Sequence, residues 1–296
     1  MKQEYDALVI GHGPAGCSAA LYLCRAGLRV AVVGKDGGAL ARAEKIENYY
    51  GLARPLPGAE LLEAGRRQCA ALGAGLLEDE VLALEWLEAG GYQVRLAAGG
   101  AVYARAALLA TGRAKRVPDI EGVRAFEGRG VSYCAVCDAF LYRGRRVAVL
   151  GGGVYAQHEL EALLPLAGHV TLLTHGAQPE FGPPPEVDVR TERVVRLQGG
   201  GEPAEEKLAG AELGDGAFVP LDGLFVALGS ASAGDLARKL GLRLRDGAIP
   251  VNEKQEAGLP GLYAAGDCTG AAAQVAFAVA EGARAGMEMA KYLRGK

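Results

Sequence analysis

The feature that most constrains how this chain can fold is a unit that occurs twice: a short apolar strand, a glycine turn and an apolar helix. The first copy is Tyr5–Ile10, then Gly11-His12-Gly13-Pro14-Ala15-Gly16, then a helix to about Ala26 with Gly27 placed as its C-cap. The second is Arg145–Leu150, then Gly151-Gly152-Gly153-Val154-Tyr155-Ala156 and another helix, 140 positions further on (Gly11 to Gly151). A lone G-x-G-x-x-G says little, but strand, turn and helix in this order make a dinucleotide-binding unit. Gly11 permits the tight turn, Gly13 lets backbone approach a pyrophosphate, and Gly16 lets the helix pack close to the strand. The helix N-terminus then faces the phosphates. Two copies predict an α/β protein with two Rossmann-like domains.

The segments between the turns fill in the sheets. Leu28 to Val33 reads as the second parallel strand and runs into Gly34-Lys35-Asp36-Gly37-Gly38. Asp36 there is either a ligand for ribose hydroxyls or an ordinary turn aspartate. Gly58 to Leu72 is an amphipathic helix, and Val81 to Thr111 is a run of strands reversing at Gly90-Gly91 and Gly99-Gly100. In the second unit Val170–Leu173 is a strand whose end should carry an acidic residue for NAD or arginines for NADP. It carries Thr174-His175-Gly176-Ala177-Gln178 instead, so neither selector is present. Tyr155 is a bulky residue in the turn, its ring pointing either into the phosphate position or away from it. His175 is a phosphate contact or a surface histidine. Leu221–Gly229 leaves the second unit, Leu242–Ile249 crosses back, and Gly261–Cys268 is a strand ending at Asp267, before a helix from Gln274 to about Leu293. An aspartate at a strand's C-terminal end sits where α/β sheets bind ligands, so Asp267 is a candidate for a cofactor hydroxyl.

Between the two units stands Cys134-Ala135-Val136-Cys137-Asp138. Two thiols at this spacing beside a carboxylate can cycle between dithiol and disulfide while the carboxylate moves protons. The same pair could be half of a zinc site, but zinc needs about four N or S ligands and no second cysteine pair accompanies it. Cys17, Cys24, Cys69 and Cys268 are scattered and read as packing residues. A net charge of −3 with interspersed signs gives no footprint for nucleic acid or an anionic membrane. With no signal-peptide flanks and no bilayer-length apolar run, a cytoplasmic protein is expected.

Taken together, Gly11–Gly16, Ile46-Glu47-Asn48, Ala110-Thr111-Gly112, Cys134–Asp138, Gly151–Gly153, and Tyr263–Asp267 with Gln274-Val275-Ala276 resemble the low-molecular-weight thioredoxin reductases over essentially the whole chain. The resemblance implies two Rossmann-like (three-layer ββα) domains, the second inserted into the first: residues 1–113 and 245–296 binding FAD, and 114–244 carrying the redox cysteines. It implies that Gly11, Gly13, Pro14, Ala15 and Gly16 hold the pyrophosphate. Asp36, Leu40, Asn48, Val81, Thr111, Gly112, Gly266, Asp267, Gln274 and Val275 would lie along the FAD. Cys137 would face the flavin, Cys134 attack the disulfide of thioredoxin or a similar small protein, and Asp138 act as general acid, in a homodimer whose two domains rotate.

The departures bear on the electron donor. NADPH-using members carry His-Arg-Arg where this chain has Thr174-His175-Gly176, and a Gly-Asp-Ser-Ala-type turn where it has Gly153-Val154-Tyr155-Ala156; in the FAD loop, Gly37-Gly38-Ala39-Leu40 replaces the family's Gly-Gly-Gln-Leu and removes one flavin contact. Arginine pairing to a phosphate supplies several charge-assisted hydrogen bonds, so NADPH use is doubtful. In that respect the chain is similar to ferredoxin-dependent flavin thioredoxin reductases, and a donor other than NADPH, such as ferredoxin, is expected. The alternatives are an NADPH-dependent enzyme with an atypical nucleotide site, an oxygen-using dithiol oxidase, and a non-catalytic flavin-binding protein.

Overall fold

Ala7 to Ile10 are apolar and wholly buried, as a strand covered on both faces of a parallel sheet must be. They end β1 (Gln3–Ile10), the start of a computed structural model that describes residues 3–112, 120–202 and 206–295. After β1 come α1 (Pro14–Arg25), β2 (Val30–Val33), α2 (Gly38–Ala41), α3 (Gly58–Ala71) and β3 (Gly75–Leu77). The meander β4 (Val81–Trp86), β5 (Tyr92–Leu96) and β6 (Ala101–Leu109) follows. The sheet order is β3-β2-β1-β6-β5-β4, with β3, β2, β1 and β6 parallel and β4, β5 and β6 antiparallel. The meander reverses at the two Gly-Gly pairs, where all four glycines have positive φ.

The next unit has its own sheet. In chain order it contains β7 (Val131–Ser132), α4 (Ala135–Asp138), β8 (Arg146–Leu150), α5 (Val154–Leu163), β9 (His169–Leu173), β10 (Asp188–Arg190), β11 (Val194–Gly200), β12 (Lys207–Leu213), β13 (Phe218–Pro220) and β14 (Gly223–Val226). Strands β10-β9-β8-β14-β7 form a parallel sheet, and β11-β12-β13 a separate antiparallel one. The strands Arg145–Leu150 and Val170–Leu173 expected from sequence are β8 and β9; the antiparallel sheet was not anticipated. A core of Val131, Ala148, Leu150, Leu173, Leu208, Ala211 and Leu224 belongs to this unit alone.

The chain divides into Met1–Ala114 with Ser232–Lys296, and Lys115–Ala231. The split unit therefore resumes at Ser232, where the sequence reading placed the return at 245. The cause is α6 (Ala233–Lys239), whose N-cap Ser232 forms a capping box with Asp235. Ala233 N donates to Thr111 Oγ1 (2.7 Å) and Lys239 Nζ to Leu82 O (3.3 Å), which fastens the helix to this unit. From there β15 (Leu262–Ala264) joins β6 in parallel, a 3₁₀ turn spans Asp267–Thr269, and α7 (Val275–Arg294) ends the unit. Along α7, Ala278, Gly282, Ala285 and Met289 are buried at spacings of three to four, the stripe that packs on α1. No helix among the described residues is long and apolar enough to cross a membrane.

Candidate active site

The C-x-x-C pair is bridged: Cys134 and Cys137 form a disulfide with a Cα–Cα distance of 5.3 Å. Cys134 is the N-cap of α4, and its sulfur accepts from Cys137 N at 3.1 Å. A sulfur at a helix N-terminus lies among unsatisfied N–H groups, which favour its thiolate once the bridge opens. Among the described residues, no group of three or more His, Cys, Asp and Glu is placed to hold a metal ion.

The surrounding side chains hold this short helix from two directions. Ser132 Oγ donates to Asp138 Oδ2 (2.7 Å) and accepts from Cys134 N (3.1 Å), so the carboxylate that follows the pair is tied to its first cysteine through one hydroxyl. Glu159, on α5 and 1% exposed, accepts from Ala135 N at 2.6 Å. Sequence reasoning missed both Ser132 and Glu159. Ser132 is adjacent in sequence and could have been found as a local cap, but Glu159 reaches the pair only through the folding of α5 onto α4. In the bridged state Cys134 is buried and Cys137 half-buried, while Val136, Phe140 and Leu141 are exposed beside them.

In the second glycine turn, Tyr155 is 1% exposed and its hydroxyl donates to Tyr133 O at 3.4 Å. Its ring therefore points away from the turn and toward the backbone before Cys134. The turn itself is covered by the chain that follows β9. Glu180 N donates to Gly152 O (2.7 Å), and Glu180 Oε2 lies 3.3 Å from where a Cβ on Gly153 would stand. At the end of β9, His175 adopts φ +53° and its Nδ1 accepts from Val194 N at 3.1 Å. Burial, with the nearby Arg193 charge, lowers its pKa, so this imidazole is neutral near pH 7. Arg193 Cγ lies 3.3 Å from a Cβ position on Gly176, placing an arginine side chain at this strand end from outside the linear motif.

The split unit has a glycine turn of its own. Gly11 has φ +108°, and a Cβ there would stand 2.3 Å from Ala110 O, so only glycine fits. Gly13 caps α1 without a side-chain bond and has nothing within 4 Å of its Cβ position, leaving the helix N-terminus open for a pyrophosphate. Pro14 and Ala15 begin that helix, and Gly16 lies against Gly11. The C-terminal segment sits beside this turn: Gly266 faces Ala15, and Glu281 Oε2 accepts from Gly266 N (2.8 Å) and Thr269 Oγ1 (2.9 Å), bracing the turn at Asp267. Glu281 was another residue that sequence spacing did not reveal.

Asn48 Nδ2 donates to Gln274 Oε1 at 2.9 Å, so two candidates 226 positions apart meet, with Val275 opening α7 next to them. Thr111 holds α6, next to Gly112 at φ +73°. Val81 is buried at the start of β4, and the Leu40 carbonyl packs on Gly58. Asp36 Oδ1 accepts from Gly38 N (2.9 Å), the hydrogen bond of a turn aspartate.

A family model for pyridine nucleotide-disulphide oxidoreductases matches residues 5–282. The chain is 33% identical over 308 residues to a thioredoxin reductase of Aquifex aeolicus (strain VF5), covering 99% of this chain and 94% of that protein. Among solved structures it is similar to an atypical thioredoxin reductase from Desulfovibrio vulgaris Hildenborough, with a TM-score of 0.90, 37% identity and 98% of each chain covered. It is also similar to a ferredoxin-flavin thioredoxin reductase from Clostridium acetobutylicum, with a TM-score of 0.76, 31% identity and 100% of each chain covered.

Proposed function

The chain belongs to the pyridine nucleotide-disulphide oxidoreductase family, as an FAD-dependent, thioredoxin-reductase-like enzyme acting on sulfur, and on that premise we propose that it reduces thioredoxin or a similar small disulfide protein with electrons from a donor other than NADPH, such as ferredoxin. The open N-terminus of α1 fits a pyrophosphate held by Gly11, Gly13, Pro14, Ala15 and Gly16, and Asn48, Thr111, Asp267 and Gln274 are the candidates along the rest of the cofactor. Bound FAD supplies the electron pair that opens the Cys134–Cys137 bridge.

The chain's own residues then carry out thiol–disulfide exchange. The Cys134 thiolate attacks one sulfur of the partner's disulfide; that S–S bond breaks, a Cys134–partner mixed disulfide forms, and the partner's other sulfur leaves as a thiolate. Cys137 attacks Cys134, the bridge re-forms, and the partner departs as a dithiol. Asp138, fixed by Ser132, is the group beside the pair that can donate the proton a leaving thiolate needs. Because Cys134 is buried in the bridged state, uncovering it is part of the first step.

The observation that carries the choice of donor is Glu180, whose carboxylate lies over Gly153 at the start of α5. A dinucleotide's pyrophosphate would seek the same N–H groups and meet a like charge. The second reading, an NADPH-dependent enzyme with an atypical site, is favoured by Arg193 against Gly176. Anaerobic titration of the oxidised holoprotein decides between them. Reduced ferredoxin should bleach the flavin absorbance and NADPH should leave it unchanged; rapid stoichiometric bleaching by NADPH rejects the proposed donor while leaving the disulfide chemistry standing. A cytoplasmic homodimer belongs to the same proposal, and a single-chain mass by light scattering removes the dimer from it.

A further inference from the structure

The flavin-side unit contains a second pair of thiols that the chemistry above leaves unused. Cys17 lies on α1 just past the glycine turn, and Cys69 lies near the end of α3; they are 5% and 0% exposed. Cys17 Sγ donates to His12 O at 3.1 Å, and Cys69 Sγ donates to Cys17 O at 3.4 Å. The Cys69 sulfur thus lies against the residue that carries the Cys17 thiol. Gly65 explains the close approach: it stands one turn before Cys69 on α3, and a Cβ there would be 3.7 Å from Cys17 Cβ. With no side chain at Gly65, α3 lies against α1 at Cys17, and the Cys69 sulfur one turn further on reaches the Cys17 backbone. Cys24, two turns further along α1, is about 10 Å from Cys17 by helical rise and cannot bridge to it.

We propose that Cys17 and Cys69 form a second oxidisable dithiol, which hydrogen peroxide converts to a disulfide joining α1 to α3. Cys17 is the sulfur that reacts first. The hydrogen bond from Cys69 and the Arg66 charge hold its thiol below the ordinary cysteine range against the opposing effect of burial, while that hydrogen bond and burial push Cys69 up. The Cys17 thiolate attacks one peroxide oxygen, the O–O bond breaks, and a sulfenic acid and, after protonation, water result. Cys69 sulfur then attacks the sulfenic sulfur, expels hydroxide and loses its proton. In sum, two thiols and one hydrogen peroxide give one disulfide and two waters.

The inference does not depend on the electron donor or the disulfide partner. It is tested on the intact FAD-loaded protein treated with hydrogen peroxide, quenched, alkylated under denaturing conditions and digested without reduction. Mass spectrometry should find a Cys17–Cys69 linked peptide besides the Cys134–Cys137 one, with loss of both singly alkylated peptides and their return after dithiothreitol. In Cys69→Ser, dimedone should trap a sulfenic acid at Cys17. Recovery of Cys17 and Cys69 as separately alkylated thiols from the peroxide-treated wild type overturns the proposal, as does a Cys24–Cys69 link. The wild-type result stands even if a serine variant fails to fold.

Discussion

Glu159 sits at the start of the helix that carries the redox pair, with its carboxylate oxygen 2.6 Å from Ala135 N. An anion this close to Cys134 raises the cost of forming a thiolate there, while its hydrogen bond fixes the helix. In Glu159→Gln the acceptor remains and the charge goes. The pH profile of alkylation of the reduced enzyme should then move to lower pH, by roughly half a unit to one unit; an unmoved profile shows that the carboxylate only holds the helix. His12 gives a second prediction at this scale. Burial, then the Arg66 charge, keeps its pKa below the ordinary value, so the folded protein leaves it neutral where the unfolded chain binds a proton. Its contribution to stability is complete above about pH 6.5 and is lost as pH falls from there toward the depressed folded value. The thermal midpoint should drop over that range and drop less in His12→Asn, and parallel curves for the two proteins would remove His12 as the cause. Cys268 represents the opposite extreme: burial pushes its thiol up to about 12, in keeping with a packing residue. Of these residues only Cys134, Cys137, Asp138 and the glycines could be read from spacing. Glu159 could not, because a buried carboxylate on an amphipathic helix has no local pattern that distinguishes it.

The contact between α1 and α7 places the first turn of α1 beside Gly266 and Asp267. It is close because Gly282 and Gly286 face Ala15 and Ala19: a Cβ on Gly282 would stand 2.1 Å from Ala15 O. Ser18 Oγ to Val279 O (2.8 Å) adds a hydrogen bond across the seam. Gly282→Ala should therefore cost about 1–3 kcal/mol by overpacking. It should also loosen FAD, because the backbone it displaces is the turn proposed to face the pyrophosphate. Differential scanning fluorimetry and the fraction of flavin released on gel filtration measure both effects, and a variant that keeps its midpoint and its flavin contradicts this account of the seam. The helices themselves were legible from their apolar spacing, and α7 runs from Val275 to Arg294 against an expectation of Gln274 to about Leu293. Besides the antiparallel β11-β12-β13 sheet, α6 was not legible. Its capping box, Ser232 with Asp235, is a local signal, but its seven residues are too few for periodicity to stand out.

At the scale of the molecule, one unit is built from a continuous stretch, Lys115–Ala231, and the other from two separated stretches. The continuous unit has its own parallel sheet and its own core. Expressed alone it should fold, with a cooperative melt and a Cys134–Cys137 disulfide, and without binding FAD; a non-cooperative melt would show that its core is incomplete. The split unit should not form from Met1–Ala114 alone, since β15, α6 and α7 supply part of its sheet and the cover of α1. The sequence by itself determined the two strand–turn–helix units, the C-x-x-C-D between them and the strand that ends at Asp267, because each is a local pattern fixed by backbone geometry over a few residues. Tertiary structure alone decided the rest. It brought Asn48 to Gln274 across 226 positions, set Glu159 on the redox helix, and laid Glu180 over the second glycine turn where Arg193 also approaches the strand end. It also paired Cys17 with Cys69. These are contacts between segments far apart in the chain, formed when separate apolar faces are buried together, and no spacing rule along the sequence encodes them. For that reason the C-x-x-C pair at the centre of the chemistry was visible at the outset, whereas the groups that tune it and the competition at the nucleotide turn emerged only from the fold.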